Sequence, residues 1–236
     1  MMEEDIIDDA GAHRMLDILT DSDADPETRG RAAIKLGPGL QLCEERLDWD
    51  DIDLYFGKAT FEKIDRTFRR LYHDASTPKL VRRRILEAAV RAPMDWHEGA
   101  VRAAWEADDD QWRQSAVFAM GYIGGFEDEL LALLNRDNLS DDLLREAVRA
   151  AGSRGIEDAE PILRRVALDE DVDSYTRQIA IDGLIWCGND ASDRALEDLT
   201  HHEDSGIAEA AEFALGERKM FAQLPDDLTQ SEDDLF

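Results

Sequence analysis

Residues 110–121 read DQWRQSAVFAMG, and variants of this stretch recur along the chain. In each copy an arginine, or the residue that replaces it, is followed by small apolar residues three and six positions later. That spacing places the small residues on one face of an α-helix. The copies, aligned on the arginine position, begin at Arg82, Arg113, Leu144, Arg177 and Ala208. Their steps of 31, 31, 33 and 31 residues are typical of a helical repeat array.

A helix-capping residue precedes four of these copies and keeps the same intervals. We expect the caps at Asp110, Asp141, Ser174 and Ser205, since short oxygen-bearing side chains accept from the free amides of a first helical turn. A second apolar helix follows each of the first three of these copies, as in the run 130–134. Each unit is therefore predicted to be a pair of helices.

The pattern extends upstream with one irregularity. A unit begins at Asp25, and its partner helix is predicted from the apolar series Phe61, Ile64, Phe68 and Leu71. Between them we expect an insertion at about 38–60 that holds at most a short helix. The repeat domain is predicted to span 1–221, and the acidic stretch 222–236 is predicted to be a disordered tail.

The copies at Arg29-xx-Ala32, Arg113-xx-Ala116-xx-Ala119 and Arg177-xx-Ala180-xx-Gly183 resemble HEAT repeats, particularly the short phycobilisome-lyase (PBS-lyase) HEAT-like type. The resemblance implies an all-α, right-handed α-solenoid of about six two-helix repeats. It also implies a protein-binding scaffold in which the repeated arginines are structural. We expect those arginines to pair with acidic loop residues. The arginines are Arg29, Arg82, Arg113 and Arg177, and the acids are Asp108, Asp109 and Asp137.

Composition narrows the classes of partner. The formal net charge is −28, which repels phosphate backbones and favours basic partners over nucleic acid. Cys43 and Cys187 lack paired spacing and are expected to be free thiols in a reducing cytoplasm. We expect no membrane segment, because no apolar run approaches spanning length.

Positions expected to face outward from the Ala-rich helices can be aligned by the repeat intervals. The aligned positions form columns, and these columns are a candidate partner-binding surface. Aromatic residues and arginines are enriched at interface hot spots, so their presence in these columns predicts a docking site for a protein or peptide. We expect a peptide or an acidic partner segment to lie along these residues. The alternative is that the aromatic residues form a second layer of the core. The candidate residues are Arg83, Arg91, Phe118, Tyr122, Arg145, Arg149, Trp186 and Phe213.

Enzymatic alternatives have weaker support. By resemblance, HEAT-like alkylpurine DNA glycosylases would use Trp112, Trp186, Arg149 and Asp182, but the spacing matches no motif and the charge opposes DNA. No bilin-attachment chemistry is recognisable. The run 201–204 (HHED) and the run 108–110 (DDD) lack the ligand spacing of zinc and calcium sites, so we expect no metal and no cofactor. No nucleophile or phosphate-loop motif occurs, and the protein is predicted to be non-catalytic.

Overall fold

The computed structural model describes residues 7–44 and 57–221, which form twelve α-helices, one 3₁₀ helix and no strand. Within these ranges no helix combines the length and apolar character needed to cross a bilayer. The helices are α1 (Asp9–Thr20), α2 (Pro26–Glu44), α3 (Lys58–His73), α4 (Lys79–Ala89), α5 (His97–Glu106), α6 (Asp110–Met120), α7 (Glu127–Leu134), α8 (Asp141–Ser153), α9 (Glu160–Leu168), α10 (Ser174–Cys187), α11 (Asp190–Leu199) and α12 (Ser205–Phe221).

The chain divides into two compact units, Met1–Ile123 and Gly124–Phe236, called unit 1 and unit 2. In unit 1, α4 packs against α2, α3 and α6. In unit 2, α10 packs against α8 and α12 within its own layer and against α9 and α11 in the other. Across the described residues each unit therefore holds three successive helix pairs, in agreement with the predicted total of about six two-helix repeats. The right-handed superhelix stays a prediction.

Neighbouring pairs are joined by side chains about 31 residues apart. Trp96 Nε1 donates to Asp65 Oδ1 at 3.0 Å, and Arg145 Nε donates to Thr176 Oγ1 at 3.1 Å. Cys187 Sγ donates to the Ile156 carbonyl at 3.4 Å. Each of these three pairs is separated by 31 residues in the chain. Contacts of this kind bind each unit to the next one, as expected for a stacked repeat.

A close backbone approach between neighbouring repeats lies between α8 and α10. A Cβ atom on Gly152 would stand 2.7 Å from the Cα of Gly183, and a Cβ on Gly183 would stand 3.2 Å from the Cα of Gly152. Only residues without a side chain permit this separation. The small residues of the repeat thus set the distance between the helix pairs.

The predicted caps are wrong by one residue, although their spacing is right. The amides of Gln111 and Trp112 donate to Asp109 Oδ1, and Asp109 has extended backbone dihedrals. The equivalent caps are Ser140 and Asp173, and the Asp204 carboxylate receives the amide of Gly206. The cap precedes the first helical residue because its backbone must be non-helical for its side chain to reach back to the amides.

Two boundaries near the N-terminus also differ from the prediction. Helix α1 was not expected, but Asp8 caps it, and Ala12, Leu16 and Leu19 are buried. The insertion does not begin at residue 38, because α2 continues through Pro38 to Glu44. Leu36, Leu40 and Cys43 are buried along one face of α2, and this burial offsets the hydrogen bond that proline removes. Helix α3 begins at Lys58, so the insertion also ends before residue 60. The short helix considered for the insertion falls largely at 45–56, which lies outside the described residues. The predicted tail, 222–236, lies outside them as well.

The repeated arginines are structural, but three of them bond helix-end carbonyls. Arg29 Nε donates to the Leu19 carbonyl at 2.9 Å, and Arg177 Nε donates to the Ala167 carbonyl at 3.0 Å. Arg113 reaches the Ala107 carbonyl at 3.4 Å. The last carbonyls of a helix lack partners within it, so a guanidinium from the next helix can satisfy them.

The predicted pairing of these arginines with the acidic loops is wrong for Asp109. That carboxylate instead pairs with Lys79 at 2.6 Å. Arg113 pairs with Asp110, three residues away on its own helix, at 2.8 Å. The arginines thus stabilise the ends of neighbouring helices, while a lysine from the preceding Ala-rich helix meets the capping carboxylate.

Replacing Gly152 with alanine tests the close approach of α8 and α10. The added methyl group would collide with backbone, so we expect Gly152→Ala to destabilise unit 2 by about 1–3 kcal/mol, as overpacking does. Gly216→Ala is the matched control, because Gly216 is exposed in α12 and nothing lies within 4 Å of its added Cβ. That change should stabilise the helix by about 0.5–1 kcal/mol. Urea unfolding of both variants measures the difference, and equal effects would contradict the packing.

Candidate partner-binding groove

A groove of about 630 Å³ lies in unit 2 between α10 and α12. Its floor includes Ile181 and Ile207, which are buried. Its walls include Tyr175 and Phe213, which are 57% and 65% exposed. Large exposed aromatic rings beside an apolar floor are unusual on a protein surface that stays in water. The volume is also within the range of pockets that bind small ligands or side chains.

Acidic residues outnumber basic ones along this groove. Its lining includes three acidic residues, Asp182, Asp204 and Glu209, and one basic residue, Arg177. Arg177 is already engaged, since its Nη1 lies 3.6 Å from Asp204 Oδ2 and its Nε bonds the Ala167 carbonyl. The groove therefore carries an excess of negative charge.

Asp182 is the unusual acid of the set. It is half-buried, and in the described part of the chain its carboxylate has neither a hydrogen bond nor an ion pair. Burial raises the pKa of Asp182 above its ordinary value of 3.8, and repulsion from Glu217 raises it further. A half-buried carboxylate without a cation is costly to the fold and is available to an incoming positive charge.

The sequence columns predicted part of this groove. Phe213, a candidate partner-binding residue, and Asp182, considered above for a glycosylase, both line it. Tyr175 was not predicted, because Ser174 beside it was interpreted only as a helix cap; an aromatic residue in an exposed first turn is the signal that identifies it.

Trp186 is also exposed, at 54%, but it is not among the residues that line the groove. The end of α8 contacts its backbone: Gly155, with φ of +59°, would bring a Cβ within 2.7 Å of the Trp186 carbonyl oxygen. Gly155 closes α8 in a Schellman motif, in which its amide bonds the Gly152 carbonyl and the Ile156 amide bonds the Ala151 carbonyl. The backbone of Trp186 is thus held by a tight turn while its ring is exposed.

The predicted arginines are more engaged than expected. Arg83 is buried, so its outward-facing assignment is wrong; its Nε donates to Ser115 Oγ at 2.9 Å because the cleft between α4 and α6 closes over it. Arg145 bonds Asp173 and Thr176 and pairs with Asp142. Their positive charges are therefore largely met within the protein.

Arg149 is half-buried and is also paired within the protein. Its Nη1 donates to both carboxylate oxygens of Glu146, at 3.0 and 2.9 Å. The charge that was expected to attract an acidic partner is neutralised one turn away on the same helix.

Three predicted residues come together in unit 1. The guanidinium of Arg91 lies 5.9 Å from the ring centre of Phe118 and 5.7 Å from that of Tyr122. The two rings are 5.3 Å apart. All three side chains are half-buried, so this part of the surface is partly packed, as the second-layer alternative anticipated. Whether any of the eight predicted residues contacts a partner stays a prediction.

A separate aromatic cluster in unit 1 surrounds Trp96. The Trp96 ring lies 5.4 Å from Tyr72 and 4.1 Å from His97, and Tyr72 lies 6.0 Å from Trp112. Arg82 stands over Trp112 at 5.6 Å. Trp112, considered above for a glycosylase, therefore belongs to a packed cluster.

His97 is the titratable centre of that cluster. It is 1% exposed, its Nδ1 accepts the Met94 amide, and its Nε2 has no hydrogen-bond partner in the ranges that the structure covers. Burial lowers the pKa of His97 to about 4, while Asp95 opposes this shift. The ring is therefore neutral at physiological pH.

No cluster of three or more histidine, cysteine, aspartate or glutamate side chains across 7–44 and 57–221 is arranged to hold a metal ion. His202 Nδ1 instead accepts the Asp204 amide at 3.1 Å, which places it in the turn before α12. Cys43 and Cys187 are both buried free thiols, as expected.

The two-layered helix pairs define a helical repeat protein, and comparison with known families is consistent with that class. A model of the HEAT-repeat family, described as HEAT repeats, matches residues 127–216. This segment, from α7 into α12, is similar to HEAT repeats, and the groove described above lies inside it. No curated protein matches the chain.

Solved structures with similar folds include an engineered protein that is 19% identical, with a TM-score of 0.51 over 89% of this chain and 96% of that one. This likeness shows the fold alone. Human deoxyhypusine hydroxylase in complex with glycerol is 18% identical over 89% of this chain and 74% of that chain, with a TM-score of 0.45. A score this low supports no inference.

The burial of His97 predicts a pH-dependent stability. An unfolded histidine takes up a proton near pH 6.5, but folded His97 does not until about pH 4. The unfolded state therefore binds more protons between these values, and stability falls as the pH drops through that window, by up to about 3 kcal/mol.

His97→Asn removes the titrating ring and keeps a hydrogen-bonding side chain of related shape. We expect its free energy of unfolding to change less than that of the wild type between pH 6.5 and pH 4, when both are measured by urea titration. If the free energy of unfolding changes between pH 6.5 and pH 4 by the same amount in the variant as in the wild type, the assignment to His97 is wrong.

Proposed function

We propose that the protein is a non-catalytic HEAT-repeat scaffold that binds a protein or peptide partner on the exposed face of its Ala-rich helices. The observation that carries the proposal is the exposure of Tyr175, Trp186 and Phe213 on α10 and α12. Aromatic anchors of this kind dominate the energy of many protein interfaces. We expect the protein to act in the cytoplasm, where its two free thiols would stay reduced.

The partner surface is narrower than the sequence columns suggested. Arg83 is buried, and Arg145 and Arg149 are bonded within the chain, so they contribute little free positive charge. The exposed aromatic residues of unit 2 and the groove beside them are the better candidates. A basic partner segment replaces the acidic one expected from the arginines, since the groove is acidic.

The glycosylase alternative is less well supported. Asp182 would be its catalytic carboxylate, yet Asp204 and Glu209 line the same groove and would repel a phosphate backbone. No observation on Asp182 favours DNA over a cationic ligand.

Affinity capture from a lysate of the source organism tests the scaffold function. We expect Trp186→Ala and Phe213→Ala to lose most of the captured partner, because each removes an exposed aromatic anchor whose truncation typically costs 2 kcal/mol or more at a hot spot. Leu168→Ala is the matched control: this leucine is 39% exposed on α9, in the other helix layer of unit 2. Quantitative mass spectrometry of the eluates measures the loss.

All three variants change exposed side chains and should keep the wild-type unfolding temperature within a few degrees. The same proteins captured by wild type, by both aromatic variants and by the control would contradict the proposed surface. Loss of capture with Leu168→Ala alone would move the interface to the other layer.

A further inference from the structure

The α10/α12 groove is equivalent, by the repeat intervals, to a filled cleft between α4 and α6 in unit 1. A shift of 95 residues, the sum of the steps from Arg82 to Arg177, relates Arg83 to Gln178 and Glu87 to Asp182. The steps from α6 to α12 likewise relate Ser115 to Ala210. The two places can therefore be compared residue by residue.

In the α4/α6 cleft the carboxylate is fully satisfied. Ser115 Oγ donates to Glu87 Oε1 at 2.6 Å, and Arg84 Nη1 donates to Glu87 Oε2 at 2.6 Å. Arg83 Nη2 lies 3.6 Å from Glu87 Oε1, and its Nε donates to Ser115. Arg83, Glu87 and Ser115 are each at most 8% exposed.

At α10/α12 the acid is kept and its partners are replaced. Gln178 stands in place of Arg83, and Ala210 stands in place of Ser115. Both Gln178 and Ala210 line the groove together with Asp182. The Asp182 carboxylate is half-buried and lacks the guanidinium and the hydroxyl that satisfy its counterpart Glu87. A guanidinium group is therefore what the α10/α12 groove lacks in comparison with the α4/α6 cleft.

We infer that the α10/α12 groove binds an arginine side chain of a partner segment, with Asp182 as the carboxylate that receives its guanidinium and Tyr175 and Phe213 as the apolar walls. The inference rests on the proposed scaffold function and names the partner's chemistry. Planar guanidinium groups stack on aromatic rings. Within this chain Arg91 lies over Phe118 and Tyr122, and Arg145 lies 6.0 Å from Tyr175.

Charge selects a foreign segment over the chain's own material. The stretches 1–6, 45–56 and 222–236 each carry an excess of acidic residues. A second copy of the protein brings a net charge of −28. Both would be repelled by a groove that already holds Asp182, Asp204 and Glu209.

Fluorescence anisotropy with labelled nonapeptides tests the inference directly. The probe GSLRFRLSG supplies arginines among apolar residues, and GSLQFQLSG and GSLEFELSG are its neutral and acidic counterparts. We expect the arginine peptide to bind at least about tenfold more tightly than the glutamine peptide, since a close interfacial charge pair is worth this much or more. The glutamate peptide should not bind.

Two variants locate the binding group. Asp182→Asn should weaken binding of GSLRFRLSG at least about tenfold and should not lower the unfolding temperature, because it removes a half-buried charge without a cation. Gln178→Arg should place a guanidinium next to Asp182, as Arg83 stands next to Glu87, and should raise the unfolding temperature and block the peptide. Glu197→Gln, an exposed acid on α11, is the control and should bind within twofold of the wild type.

The binding should also weaken as the pH falls through the raised pKa of Asp182, because protonation removes the charge. Equal binding of the arginine and glutamine peptides, no measurable binding of any peptide, or an equal loss in the Asp182 and Glu197 variants would overturn the inference. If partner capture depends on Phe213 but is indifferent to Asp182→Asn and Gln178→Arg, the inference fails and the scaffold function stands. If capture is indifferent to the aromatic residues as well, the scaffold function fails.

Discussion

Close contact between equivalent helices of successive repeats is the constraint on which the rest of unit 2 depends. Gly152 of α8 meets Gly183 of α10 backbone to backbone, and a side chain at Gly152 would collide with the Gly183 backbone. A single helix pair cannot bury its apolar stripe alone, so each pair depends on its neighbours. The hydrogen bonds that span 31 residues follow from the same stacking. The contact between Gly155 and the Trp186 carbonyl at the end of α8 belongs to the same close approach.

A repeated scaffold also makes its irregularities visible. Where α4 meets α6, an arginine, a glutamate and a serine close the cleft with hydrogen bonds. Where α10 meets α12, only the acidic member of that set remains, and the surface stays concave enough to form a groove of about 630 Å³. Asp182 without a cation costs stability, as the rise in its pKa indicates. Such a cost is common where a protein keeps a binding surface.

Much of the fold could be predicted from spacing, because helical periodicity and repeat length survive without knowledge of contacts. The series Phe61, Ile64, Phe68 and Leu71 is buried along α3 as expected. The start of α1 and the passage of α2 through Pro38 were missed, since propensity rules weigh proline and acidic residues locally and do not weigh tertiary burial. The one-residue error in the caps arose because two adjacent residues at each helix start can both cap, such as Ser140 and Asp141 or Asp173 and Ser174.

The candidate surface was harder to predict. Sequence columns identified residues that face outward from their own helix, but whether a neighbour covers them depends on the distance between helices. Arg83 is buried for that reason, whereas Phe213 is exposed. The columns also could not show that the guanidinium groups of Arg145 and Arg149 are hydrogen-bonded to the carboxylates of Asp173 and Glu146. Counting arginines therefore suggested an acidic partner, and the geometry of the groove favours a basic one.

The most direct measurement is a nuclear Overhauser effect between the α-protons of Gly152 and Gly183 in protein labelled with ¹³C-glycine. Stacking of α8 on α10 brings these two backbones into contact, so the account predicts a strong cross-peak between them. Assigned α-proton resonances for both glycines with no cross-peak between them would contradict it.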